Sequence, residues 1–215
     1  MTTSVSESAK PHYWDEAQRH LMRRDRILRR LIPQHAGDSL KPASSSFVTL
    51  ARIIISQQLS VKAANEMWHR FTEACGTSEP NPESVQALAK CSGSLSGLSR
   101  RKGDYVLGLA DHFMTQWAEL PNWHGVDDES VIADLCTIRG VGRWSAEMFL
   151  IFNLQRPDVL PLDDASLLKA ISLHYFSGEP VSRFEAREVA QAWTPWRTVA
   201  AWYLWRSLDP ASVRY

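Results

Sequence analysis

An all-α fold is what this sequence of 215 residues predicts, and three observations carry the prediction. Apolar residues recur at helical spacing from one end to the other. Ser, Asn or Asp stands ahead of most of those runs as a ready N-cap. Strand-like alternation is weak throughout, and neither an internal repeat nor an apolar run long enough to cross a membrane is visible.

Taken in order, MTTSVSESAK lacks the basic start and apolar core of a signal peptide and is expected to form a short disordered tail, 1–10, ahead of a folded domain, 11–215. Pro11 to Leu31 reads as one amphipathic helix with Arg19, Arg23, Arg26 and Arg30 on one face. "SSSFVTLARIIIS" opens with serine caps and places Phe47, Leu50, Ala51, Ile54 and Ile55 on one stripe. The chain breaks at Gln57-Gln58 and restarts as a helix capped by Ser60; Asn81 and Pro82 start another. A Gly/Ser loop then precedes a long helix in which Tyr105, Leu109, Phe113 and Trp117 are spaced by four. After the linker "PNWHGVDDES", "DESVIADLCTI" is helical, and further helices are expected near Asp164–Tyr175, Ser182–Trp193 and Trp196–Ser207.

Composition narrows the class. Lys+Arg and Asp+Glu both number 24, so the formal net charge is zero and any contact with nucleic acid must rest on local geometry. Cys75, Cys91 and Cys136 are widely spaced and form no CxxC pair, which speaks against a disulfide scaffold, a zinc ribbon and an iron–sulfur cluster and for a reducing cytoplasm. Nine Trp is an unusual number; core packing is the ordinary use for most of them.

Chemistry concentrates in "LCTIRGVGRWSAEMFLIFNLQRPDVLPLDDASLLKA". Gly140 and Gly142 suit a turn that needs positive φ, or a backbone that lies close to something else. A hairpin leading into a fresh helix presents backbone N–H groups that hold a phosphate without any Lys or Arg. Asp163 and Asp164 then stand side by side before an apolar helix, where a carboxylate either caps the helix or serves chemistry.

This stretch resembles the helix-hairpin-helix and Gly/Pro/Asp loop of the base-excision DNA glycosylase superfamily, and within it the DNA-3-methyladenine glycosylase II, or alkylpurine glycosylase, branch. "FVTLARIIISQQLSVKAA", "GLSRRKGDYVLGLA" and "WTPWRTVAAWYLW" agree in order, so the resemblance covers Phe47 to Leu208. It implies a two-lobed helical glycosylase fold with a cleft between the lobes, without the N-terminal β-domain of some members. The family's catalytic Asp starts the helix after the hairpin, which puts Asp164 in that role, with Leu167 and Lys169 in register and Asp163 as a cap or support. Such a carboxylate stabilises the oxocarbenium charge that develops as an N-glycosidic bond breaks, and orients water.

Further roles follow from the resemblance. Relatives that also cut the sugar–phosphate chain carry a nucleophilic Lys after "GVGR"; here Trp144 stands there, which implies a monofunctional enzyme that leaves an abasic site. Trp205 matches a pocket tryptophan, and Trp144 and Tyr105 are further pocket candidates, Tyr105 and Trp202 being equally readable as core. Indole faces attract cationic N-methylated purines by about 0.5–2 kcal/mol. Gln58, with Gln57 beside it, sits where the family inserts a wedge as the base flips out. Gly140, Gly142, Arg143, Ser145 and Arg139 are the expected phosphate contacts, and Arg197 ties either the catalytic helix or a phosphate. No cofactor is required; the carbonyls of Cys136, Ile138 and Val141 are the family's place for a monovalent cation (Na or K), although many relatives have Pro where Arg139 stands. The expected substrate is double-stranded DNA with alkylated bases such as 3-methyladenine or 7-methylguanine, met by a monomer with no membrane partner. A glycosylase for deaminated bases such as hypoxanthine and a non-catalytic lesion-binding protein are the competing readings.

Overall fold

The computed structural model describes residues 10–43, 45–93, 95, 97–117 and 120–208, and these are helical with no strand among them. The expected tail 1–10 lies, apart from Lys10, outside the described residues. In chain order the helices are α1 (Trp14–Arg24), α2 (Arg26–Gln34), α3 (Ser46–Ser56), α4 (Val61–Cys75), α5 (Pro82–Ser92) and α6 (Arg100–Thr115). They continue with α7 (Asp128–Leu135), α8 (Arg143–Phe152), α9 (Ala165–Tyr175), α10 (Arg183–Ala190) and α11 (Arg197–Leu208). The described residues divide into two compact units, one made of 10–42 with 150–208, the other of those within 43–149. Among the described residues no helix is long and apolar enough to cross a membrane.

In the first unit α11 packs on α9, α2 and α1, and its residues Thr198 to Trp205 are all buried. The expected single helix over Pro11 to Leu31 is instead two. Asp25 interrupts it, because its carboxylate Oδ1 caps α2 by accepting from Ile27 N at 2.8 Å and Leu28 N at 3.0 Å. Oδ2 accepts from Tyr175 Oη at 2.7 Å and Trp193 Nε1 at 2.9 Å, so a buried charge is fully partnered and the α1–α2 joint is tied to the end of α9. Burial, and then the Asp25 charge, push the Tyr175 hydroxyl well above its ordinary pKa. The corner also corrects the expected arginine face: Arg19 and Arg23 ride α1 while Arg26 and Arg30 ride α2.

In the second unit α3 lies against α4 and α6. Ser45 caps it, its hydroxyl accepting from Val48 N at 3.1 Å, and Phe47, Leu50, Ala51, Ile53, Ile54 and Ile55 are buried. Ile53 lies off the expected stripe and is buried because α3 is covered on more than one side. Each such large side chain contributes about 1.5–3 kcal/mol as an upper bound. Trp117 falls just beyond α6, where its ring meets Phe113 edge-on at 5.3 Å and Trp123 at 5.2 Å.

Candidate active site and hairpin

The two adjacent aspartates face different partners. Asp164 is the N-cap of α9, and its Oδ1 accepts from Leu167 N at 2.7 Å and from Trp205 Nε1, on α11, at 2.9 Å. Trp205 is only 5% exposed, and its ring stacks on Phe152 at 5.9 Å and 23°. A short polar side chain is therefore held by a backbone donor and an indole donor beside an apolar aromatic pair. The α9 dipole favours negative charge at that end. Asp163 is 44% exposed and pairs with the Arg183 guanidinium of α10 at 2.5 Å. Leu167 is buried and Lys169 exposed.

The loop that carries Asp164 is stitched to the start of α11. Asp158 accepts from Arg197 through Nε at 2.7 Å, Nη2 at 2.8 Å and the backbone N at 3.1 Å. A bidentate Arg–carboxylate pair fixes orientation as well as distance. Thr198, fully buried, donates its hydroxyl to Arg156 O at 2.6 Å and accepts from Val159 N at 3.0 Å. Arg197 thus ties the loop between α8 and α9 to the helix whose Trp205 holds the carboxylate. Asp158 and Thr198 do this work unannounced by the sequence, because their partners are about forty residues away.

The hairpin between α7 and α8 belongs to the second unit. Gly140 has φ +94°, and a Cβ there would lie 2.5 Å from Tyr105 Cγ and 2.9 Å from Tyr105 Cβ. Positive φ and the tyrosine of α6 both demand glycine. Arg139 is exposed, and its guanidinium lies over the same Tyr105 ring, 5.8 Å from its centre. Gly142 differs: its φ is not in the left-handed region, and a Cβ would meet nothing within 4 Å. Positive φ is therefore needed at one of the two glycines and not at the other.

Other expected phosphate ligands are engaged within the protein. Ser145 is 2% exposed, and its hydroxyl faces inward to accept from Gln57 Nε2 at 3.0 Å, so its side chain braces the hairpin while its backbone sits in the first turn of α8. Gln57 Nε2 also donates to Gly140 O at 2.9 Å. Arg143 bridges α7 and α8 through Glu129 at 2.5 Å and Glu147 at 3.1 Å. The hydrogen bond from Arg143 holds the Glu129 carboxyl below the ordinary range, while the two carboxylates raise the guanidinium pKa. Gln58 is exposed with φ +60°, a left-handed conformation that costs a non-glycine residue about 1–2 kcal/mol. Ile138 O accepts from Val141 N at 3.0 Å, so one of its lone pairs is engaged. Trp144 is half-buried on α8, and Trp202 is core.

Known proteins resemble this chain in sequence and in fold. A family model described as HhH-GPD superfamily base excision DNA repair protein matches residues 51–195. DNA-3-methyladenine glycosylase 1 of Schizosaccharomyces pombe is 31% identical over 204 residues, 89% of this chain and 86% of that protein. The alkylbase DNA glycosidase-like protein mag2 of the same yeast is 29% identical over 212 residues, 92% of this chain and 95% of that protein. Among solved structures, the S. pombe 3-methyladenine DNA glycosylase in complex with abasic DNA superposes with TM-score 0.73 and 30% identity, over 93% of this chain and 100% of that one.

Proposed function

The chain belongs to the HhH-GPD superfamily of base excision DNA repair proteins, and from that premise we propose that it is a monofunctional DNA glycosylase that hydrolyses the N-glycosidic bond of alkylated purines in duplex DNA. The observation that carries the reading is Asp164, a carboxylate held by the Leu167 N–H and the Trp205 indole N–H at the start of α9. A merely structural N-cap needs the first of these donors; the second, from a buried tryptophan, fixes the carboxylate in a second direction.

The chemistry follows from that placement. The C1′–N bond breaks with its electron pair going to the departing base, which neutralises the positive charge of an N-methylated ring. Positive charge develops on the sugar, where the Asp164 carboxylate stabilises it. Water then forms the new bond to C1′ and releases a proton. Because a cationic base departs readily, no dedicated acid is required. Trp144 offers no amine for a Schiff base, so the product is an abasic site in an unbroken strand. The indole of Trp205, beside Asp164, is an aromatic group of the kind that would favour a cationic ring.

The hairpin supplies the hold on DNA. Backbone N–H groups from Gly142 onward begin α8 and suit a phosphate, and Arg139 extends from the same turn. Gln58, exposed at the tip between α3 and α4, fills the space a flipped base vacates. The carbonyls of Cys136, Ile138 and Val141 are neutral oxygen donors of the kind that suits Na or K, and the second lone pair of Ile138 O is compatible with that role.

The test is chromatography of bases freed from methylated duplex DNA. Freed 3-methyladenine or 7-methylguanine, with alkali-labile sites but no nick, is expected. A nicked strand carrying an elimination product would overturn the monofunctional reading, and no freed base from any alkylated duplex would overturn the glycosylase reading itself.

A further inference from the structure

We propose that Gln57 is a positioning residue for base flipping, locking the exposed Gln58 tip to the DNA-holding hairpin so that the two engage DNA in one fixed register. The proposal rests on the glycosylase reading for its purpose, but its geometry lies wholly within the second unit. The sequence offers Gln57 and Gln58 as neighbouring wedge candidates, and the structure separates them. Gln58 is exposed; Gln57 is half-buried and turns its amide away from the tip, donating to Gly140 O at 2.9 Å and Ser145 Oγ at 3.0 Å. One amide thereby touches both the hairpin turn and the first turn of α8.

The backbone of the same residue is held from the other side. α3 ends at Ser56, and its last carbonyls have no helical partner. Lys102 Nζ, reaching from the first turn of α6, donates to Ile55 O at 2.5 Å and Gln57 O at 2.9 Å. A cation at a helix C-terminus satisfies those carbonyls and complements the dipole. Three residues further along α6, Tyr105 presses on Gly140, and Arg139 lies over its ring. Lys102 and Tyr105 therefore fix, from one helix, the two ends of the link that Gln57 makes.

Gln58 explains the need. A glutamine in left-handed conformation is not a preferred state, so it persists only where the surroundings impose it. Its neighbour on the N-terminal side is fixed by Lys102 and the hairpin, and Leu59 N donates to Ser56 O at 3.1 Å on the other. With the amide link cut, the tip relaxes toward ordinary backbone conformations and loses its aim relative to the phosphate-binding turn. Gln57 acts through Gln58 and need not touch DNA.

Double-mutant cycles test this in the whole 215-residue chain. Gln57→Met keeps length and volume but removes the donor; Gln57→Glu keeps the shape and turns a donor toward a carbonyl into a repelling acceptor. Single-turnover base release and the Kd for duplex carrying a tetrahydrofuran abasic-site analogue are measured for Gln57→Met, Gln58→Ala and the pair. Each single change is expected to slow release about tenfold, the scale of the one or two weak interactions it removes, and the double variant is expected to be no slower than either. A double variant slowed by the product of the two single effects would overturn the proposal, because Gln57 would then act independently of Gln58. Amide hydrogen exchange supplies a readout free of activity: in Gln57→Glu, exchange is expected to quicken together in 57–60 and 138–142 while α5 is unchanged. Faster exchange confined to one segment, or none, would overturn the link. If the wild type frees no base, the glycosylase reading fails, and the link still stands or falls on the exchange pattern and the abasic-duplex cycle.

Discussion

Asp164 and the hairpin at Gly140 are both held in place, by opposite means. Asp164 is fixed by added atoms: a backbone N–H from its own helix and an indole N–H from α11 converge on one oxygen. Gly140 is fixed by a missing atom, since Tyr105 occupies the space a Cβ would need. The first device suits a group that must present charge in a set direction; the second suits a backbone that must lie close to its neighbours. Donors can be removed singly and leave the fold standing, whereas filling the Gly140 gap must move α6 or the turn.

That contrast predicts where substitutions strike. The largest effect on stability is expected for Gly140→Ala, about 2–4 kcal/mol from left-handed strain and overpacking combined, seen as a melting temperature lower by roughly 5–15 °C. A melting temperature equal to wild type would show that Tyr105 moves aside freely. Trp205→Phe keeps an aromatic ring against Phe152 but removes the donor to Asp164. Loss of a hydrogen bond to a charged group, about 1.5–3 kcal/mol, should slow single-turnover base release roughly 10- to 100-fold. Unchanged affinity for abasic-site duplex would place that loss in the chemical step.

Gly142→Ala sharpens the comparison, because the two glycines of one hairpin should separate. Nothing inside the protein crowds a Cβ at residue 142, so the melting temperature should stay near wild type. Affinity for duplex DNA should nevertheless fall about threefold to tenfold as a methyl displaces one backbone–phosphate hydrogen bond. Equal affinity would mean that DNA does not approach this turn closely.

The smallest effect concerns acid. Arg143 holds the Glu129 carboxyl below its ordinary value of 4.5, so this pair contributes stability that is present above that value. The contribution is lost as pH falls through the lower, folded value, because the unfolded chain binds the proton first. Glu129 is 68% exposed, and solvent screens the pair strongly. Amide exchange in 138–142 should quicken only below about pH 4.5 and should lose that acid dependence in Glu129→Gln.

Much of this was legible in the sequence because it is local. Ser45, Ser60 and Asn81 cap the helices they precede, and Asp164 starts α9. Asp25 was missed because the apolar stripe resumes beyond it, and the partners that bury its charge, Tyr175 and Trp193, lie far along the chain. For the same reason the links from Gln57 to Gly140, Asp158 to Arg197 and Trp205 to Asp164 are invisible to spacing. Spacing identified which residue types gather near the site; only the packed structure decides which oxygen each N–H meets.

The most direct measurement compares wild type with Asp164→Asn, a substitution that keeps a good N-cap. Single-turnover release of 3-methyladenine and the Kd for abasic-site duplex are read side by side. Release reduced by about a thousandfold or more, with Kd within a few-fold of wild type, is the expected result, since charge stabilisation at the sugar is lost while the hairpin is intact. Release at the wild-type rate would contradict the account, because the carboxylate would then be a helix cap and the chemistry would belong to another group.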